Sequence, residues 1–156
     1  MIRIWSSVGL ALSFAIVVLH CGGEARAATA LQKAEVLIDG RITIEVEVAR
    51  SPEAQAKGLA GRPSLKKGTG MIFPYDAPGH RTFWMKGMWI PIDILWIREG
   101  KVVAIKANLP PPSSGRMPAM YGHPADLVLE VPAGYAEEMG IRVGQSVRVR
   151  YESASR

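Results

Sequence analysis

The chain has one cysteine, Cys21, in 156 residues. It falls in an N-terminal stretch that reads as removable, so the remaining domain is expected to hold neither a disulfide nor a thiolate nucleophile, although export would permit a disulfide. Catalytic spacings are missing as well. No H-E-x-x-H and no G-x-S-x-G occurs, and Ser64, Ser113 and Ser114 have no ordered histidine partner, which argues against a Ser–His enzyme. Clustered basic charge is absent: the formal charge is +5, and Lys66-Lys67 is the one adjacent Lys/Arg pair. Nucleic acid, which calls for a basic stripe, is therefore not an expected partner. No apolar run reaches the roughly 20 residues that a membrane-spanning helix needs.

What is present at the N-terminus has a recognisable order. Arg3 is followed by an apolar run from Val8 to Leu19, interrupted by Gly9 and Ser13, and then by Ala25-Arg26-Ala27. Basic, apolar and A-x-A segments in that order read as a secretory signal peptide over residues 1–27, cleaved after Ala27. The expectation is a single globular domain over 28–156 in the periplasm or secreted, with no transmembrane span after cleavage. Two alternatives stay open: an uncleaved N-terminal anchor, and lipidation at Cys21, for which His20 is a poor match to the small residue that a processing site prefers.

Within the domain, "AEVLIDGRITIEVEVA" alternates on both sides of Asp39-Gly40, which predicts a hairpin with Val36, Ile38, Ile42, Ile44, Val46 and Val48 facing a core. Ser51-Pro52-Glu53 supplies a cap, a first-turn proline and an acid for a short helix ending near Gly58. "GMIFPY" and "RTFWMK" are read as two separate short strands. "IDILWIRE" and "KVVAIKA" flank Gly100 as a second hairpin, with Asp93, Leu95 and Ile97 on one face and Ile92, Ile94 and Trp96 on the other. Residues 108–124 are read as one long proline-rich loop, unusual inside a compact domain. A strand "ADLVLEVP", a short helix "AGYAEEMG" and a final strand "QSVRVRYE" follow. The fold class expected is β-rich α+β: a small mixed, partly closed barrel or curled sheet with two short helices.

The segments "SPEAQAKGLAGRPSL", "GMIF", "FWMK", "IPIDILWI", "KVVAI" and "LEVPAG", followed by "GIRVGQSV", resemble in order and spacing the bacterial and archaeal family known as domain of unknown function 192, over Ala34 to Val149. The resemblance implies a small mixed β-barrel-like fold, often exported, with no established activity. The family usually has methionine where Ala60 stands and asparagine where Gly87 stands. Many members carry a cysteine pair where this chain reads "PPPSSGRMP", so no role of those cysteines carries over.

Lys86 and Asp93 are the two charges in "FWMKGMWIPIDILWI". Charges among apolar strands are costly unless paired or solvated. One reading has Lys86 reaching solvent from a strand end while Asp93 caps a turn or accepts backbone N–H bonds. The other has both lining a concave patch with Trp84 and Trp89, charged tips among apolar walls, as in a ligand pocket. Arg62 joins this set because a loop arginine can clamp a carboxylate or phosphate; the plainer role is tying its loop to a carbonyl or to Glu53. The ligand-binding candidates are thus Arg62, Trp84, Lys86, Trp89 and Asp93.

Asp76, His80, His123 and Asp126 would make a metal site if "YDAPGH" and "YGHPAD" met, but their spacing is not a metal motif, and neither a metal nor any other cofactor is expected. Glu130 is expected to face solvent, or to lie on an edge strand. Asp93 with Glu130 is the one carboxylate pair to nominate for glycoside hydrolysis. Two functional readings result: an exported cell-envelope binding or interaction module for a small molecule or envelope polymer, or a hydrolase acting on such a polymer through that pair.

Overall fold

The computed structural model describes residues 31–113 and 119–153. The expected signal peptide with its cleavage point, Cys21 and Ser114 lie outside the described residues. The described chain runs β1 (Lys33–Ile38), β2 (Ile42–Val48), α1 (Pro52–Lys57), β3 (Thr69–Trp84), β4 (Ile92–Arg98), β5 (Lys101–Leu109), β6 (Met120–Pro132), α2 (Tyr135–Glu138) and β7 (Val147–Tyr151).

Local chemistry sets the turns. Asp39 and Gly40 both have positive φ, at 49° and 68°, as do Glu99 and Gly100 at 51° and 69°. Tight hairpins need that left-handed pair, and Asp-Gly and Glu-Gly supply it with a glycine at the second position. The Ser51 hydroxyl accepts from the Ala54 N–H at the start of α1, with Pro52 in the first turn, satisfying one donor that the helix leaves free.

The seven strands form one sheet in the order β5-β4-β6-β3-β2-β1-β7. Every neighbouring pair is antiparallel except β2 with β3, which are joined through α1. The sheet curls until its edges touch at one end. Lys101 bridges Ser146, Val102 N–H donates to Gln145 O at 3.0 Å, and Val147 N–H donates to Gly100 O at 2.8 Å. The result is a half-barrel, the partly closed sheet that the sequence pattern predicts.

Both faces of the sheet's middle carry a core. One face packs Val36, Ile44, Val46, Leu95, Ile97 and Leu129 inside the curl. The other packs Phe73, Ile94, Trp96 and Val128 beneath Leu59, Met85 and Met88 of the connecting segments. β1 and β2 alternate buried with more exposed positions, whereas β4 is buried from Ile92 to Ile97. A strand covered on both faces reads as a continuous apolar run, as β4 does.

Two expectations are corrected. "GMIFPY" and "RTFWMK" belong to one 16-residue strand, β3, with a register shift between Pro74 and Gly79. β6 begins at Met120, inside the segment read as loop. The reason is a two-stranded ribbon: Gly79–Trp84 pair with Met120–Ala125, while β2 accompanies β3 only as far as Ile72 and β4 accompanies β6 only from Leu127. Each ribbon strand is an edge, the position in a sheet where a proline such as Pro124, opposite His80, is tolerated. Trp96 pins the ribbon down by donating its Nε1–H to Arg81 O at 2.8 Å. Phe83 meets Phe73 and Trp96 edge-on, at centroid distances of 4.9 and 6.4 Å.

Candidate binding site

The pairing of β4 with β6 decides where the two nominated carboxyls point. Ile94 lies opposite Glu130, and Asp93 lies opposite Val131. Residues directly opposite each other share a face and successive residues alternate. Asp93 therefore belongs to the face inside the curl and Glu130 to the other. The two acids do not flank one cleft, and the pair nominated for glycoside hydrolysis is not assembled.

Asp93 is fully buried. Its Oδ1 accepts from the N–H groups of Asn108 at 2.7 Å and Gly134 at 3.0 Å, and its Oδ2 accepts from Ala136 N–H at 2.9 Å. One side chain thus ties β4 to the end of β5 and to the start of α2. Of the two readings open from sequence, this geometry is that of a carboxylate serving backbone donors.

Glu130 is 5% exposed. The solvent-facing or edge position expected for it is corrected by the sheet order, which places β6 between β4 and β3. Its Oε2 is buried without a hydrogen-bond partner among the described residues, and burial pushes its carboxyl up to about 8. Near neutral pH the group is mostly an uncharged acid with one O–H to donate. A shift from 4.5 to about 8 costs the fold about 3 kcal/mol at pH 7, at about 1.4 kcal/mol per unit.

This carboxyl lies at a small cleft of about 40 Å³ between the end of α1 and the turn after β3, with Gly58, Phe73, Phe83 and Met88 among its walls. Gly58 closes α1 at φ 48°, and a Cβ there would stand 3.4 Å from the Phe73 ring and 3.9 Å from Glu130 Oε2. Both are ordinary contact distances, so it is the left-handed backbone rather than space that favours glycine at this helix end. Met85 and Met88 are buried and anchor the turn, leaving Lys86 exposed between them. Trp84 and Lys86 also line the cleft, with the Lys86 Nζ 5.0 Å from the Trp84 ring centroid. Trp84 is 49% exposed, and Lys57 lines the cleft as well, so an exposed aromatic surface and two cations border a buried acid.

The other sequence candidates lie elsewhere. Trp89 is 67% exposed on the same turn but does not line the cleft. Arg62 forms a two-pronged ion pair with Glu47, both contacts 2.6 Å, so the acid it ties is Glu47 rather than Glu53. That hydrogen bond holds the Glu47 carboxyl below the usual carboxylate range and raises Arg62. The pair borders a separate groove of about 600 Å³ over β1 and β2. His80 lies opposite Pro124 and His123 opposite Arg81, which sends the two imidazoles to opposite faces. Asp126 accepts from Glu99 N–H at 2.8 Å. No group of three or more metal-ligating side chains gathers among the described residues.

Sequence reasoning undervalued Glu130, but a signal was present. In "LVLEV" the positions on both sides of the alternation are apolar, which marks a strand buried on both faces. A lone acid in such a run is a buried acid.

A curled, mostly antiparallel half-barrel with a small cleft over a buried acid that has no partner among the described residues is the class of domain that these features define. Residues 34–149 match the family DUF192, described as "Uncharacterized ACR", and the chain belongs to that family. Ala60, which lines the cleft, lies next to Gly87: Gly61 N–H donates to Gly87 O at 2.9 Å, and a Cβ on Gly87 would lie 3.3 Å from Ala60 Cβ. Among solved structures, the chain is similar to a candidate transcription regulator from Sinorhizobium meliloti 1021, at 28% identity over 77% of this chain and 95% of that one, with a TM-score of 0.70. It is also similar to a protein of unknown function from Novosphingobium aromaticivorans DSM 12444, at 35% identity over 78% and 89%, with a TM-score of 0.69. No curated protein matches it. No helix among the described residues is long and apolar enough to cross a membrane.

Proposed function

We propose that this protein is an exported ligand-binding module of the cell envelope, with Trp84, Lys86 and Glu130 as its site. The observation that carries the reading is Glu130, which lines the cleft and whose buried Oε2 has no hydrogen-bond partner among the described residues. A buried polar atom without a partner costs free energy, and a ligand group that reaches it recovers part of that cost. Trp84 offers a flat apolar surface for stacking, and Lys86 beside it attracts an anionic group. Export is supported by the basic, apolar and A-x-A order of residues 1–27. An envelope polymer or one of its fragments meets all three features.

The test is a titration of the purified domain with soluble envelope fragments, followed by tryptophan fluorescence. A saturable change that is lost in Trp84→Ala, which retains Trp89 and Trp96 as reporters, supports the site. A response of equal size in Trp84→Ala refutes it.

A further inference from the structure

Resting on that binding reading, we infer that the cleft takes the N-acyl substituent of an amino sugar, the sugar ring remaining outside against Trp84. Size is the first constraint. A space of about 40 Å³ is far below the roughly 300–1,000 Å³ of an ordinary small-molecule pocket, so it accepts the tip of a substituent and excludes a sugar ring. Chemistry is the second. Leu59, Phe73 and Met88 are its buried apolar walls, Gln55, Lys57 and Lys86 line its more exposed part, and the buried polar group among the walls is the Glu130 carboxyl. A group that fits must have an apolar tip for the buried walls and a neutral hydrogen-bonding atom next to it, with its polar remainder toward Gln55, Lys57 and Lys86.

Other small substituents fit less well. A hydroxyl would bond to the acid but leave the apolar walls unfilled. A carboxylate would bring a second acid into a space from which water is largely excluded. An ammonium would have to pass Lys86 and would need Glu130 ionised. An acylamide has a methyl for the walls and a carbonyl that accepts the O–H of an uncharged Glu130. Its attached ring emerges where Trp84 is exposed, and aromatic faces are good platforms for the apolar face of a ring.

The experiment compares three trisaccharides by isothermal titration on the folded domain: triacetylchitotriose, chitotriose and cellotriose. The acetylated sugar should bind at least tenfold tighter than the other two. Glu130→Ala should abolish that preference, with Glu130→Met as the replacement if the alanine variant does not fold, and Trp84→Ala should weaken all binding. Equal affinity for the three sugars would overturn the N-acyl inference and leave the Trp84 site standing. No binding of any sugar, while envelope fragments still perturb Trp84, would overturn it likewise. Silence toward the sugars and the envelope fragments together would refute the binding reading itself.

Discussion

Asp93 on β4 and Glu130 on β6 sit one pairing step apart, yet they live in opposite electrostatic surroundings. Asp93 accepts three backbone N–H bonds, while Glu130 Oε2 has no partner among the described residues. The first arrangement does what folding alone requires: a buried carboxylate is stabilised by donors that would otherwise be orphaned at a strand end and a helix start. The second does something folding does not require, since an apolar side chain of the same size would pack between Ile94 and Met71 without the penalty. Burial alone therefore does not mark a functional acid. The absence of compensation does, and it coincides here with the one cleft that Trp84 and Lys86 border.

The sharpest way to break this contrast is to remove the compensated acid. Asp93→Ala leaves one buried N–H, that of Ala136, and two part-buried ones, those of Asn108 and Gly134, without their acceptor, each lost partner costing about 1–3 kcal/mol. Partial rehydration keeps the sum to about 3–5 kcal/mol. Urea unfolding at pH 7 should show that loss, and a change under about 1 kcal/mol would mean that α2 and the end of β5 do not depend on Asp93.

Glu130 should respond in the other direction. Its folded value, about 8, lies above the ordinary 4.5, so the native state holds a proton that the unfolded state releases between those values. The contribution of Glu130 to stability is then most favourable below about pH 4.5 and falls by up to about 1.4 kcal/mol per unit as pH rises toward 8. Glu130→Met should be more stable than the parent by about 2–4 kcal/mol at pH 8 and by far less at pH 5. Parallel pH profiles for the two proteins would show that Glu130 is compensated after all.

The same contrast shows how far sequence reasoning reaches. The hairpins were legible because Asp39-Gly40 and Glu99-Gly100 are local signals, and the face carrying Asp93, Leu95 and Ile97 was legible because strand alternation is local too. The continuity of β3 through Pro74 and Gly79, and the start of β6 at Met120, depend on two segments about 40 residues apart pairing beyond the reach of their neighbours. Local punctuation therefore divides β3 into two strands and places the start of β6 in a loop. The site was half legible: Trp84 and Lys86 stand out in an apolar run, whereas the separation of Asp93 from Glu130 depends on the β4–β6 register, which no local pattern encodes.

A smaller effect concerns Arg62, whose side chain is about one-third exposed in its ion pair with Glu47. Screening at such a site limits even a two-pronged pair to about 1 kcal/mol. Arg62→Lys, which cannot present the fork, should lose most of that at low salt and little at 1 M salt. A loss of several kcal/mol that salt does not reduce would make the pair a structural element on a par with Asp93.

Lys86 should have the least effect on folding and one of the clearest effects on binding. Its ammonium is exposed and its recorded interaction is with the Trp84 ring at 5.0 Å, a geometry worth about 0.5–1 kcal/mol at an exposed site. Methionine retains the apolar stem and contacts the same ring through sulfur, recovering part of that value. Lys86→Met should therefore change unfolding free energy by less than about 0.5 kcal/mol. The lost cation matters instead to a ligand that carries an anion, because a point charge at the rim of a cleft raises the local concentration of opposite charge. Affinity for anionic envelope fragments should fall about threefold to tenfold at low ionic strength and converge with the parent as salt is added, while affinity for an uncharged N-acylated sugar should stay within about twofold, the factor that a residual change of 0.5 kcal/mol allows. If Lys86→Met instead unfolds the turn between Met85 and Met88, the two methionines are not sufficient anchors, and the cation belongs with Asp93 among the groups that hold the fold.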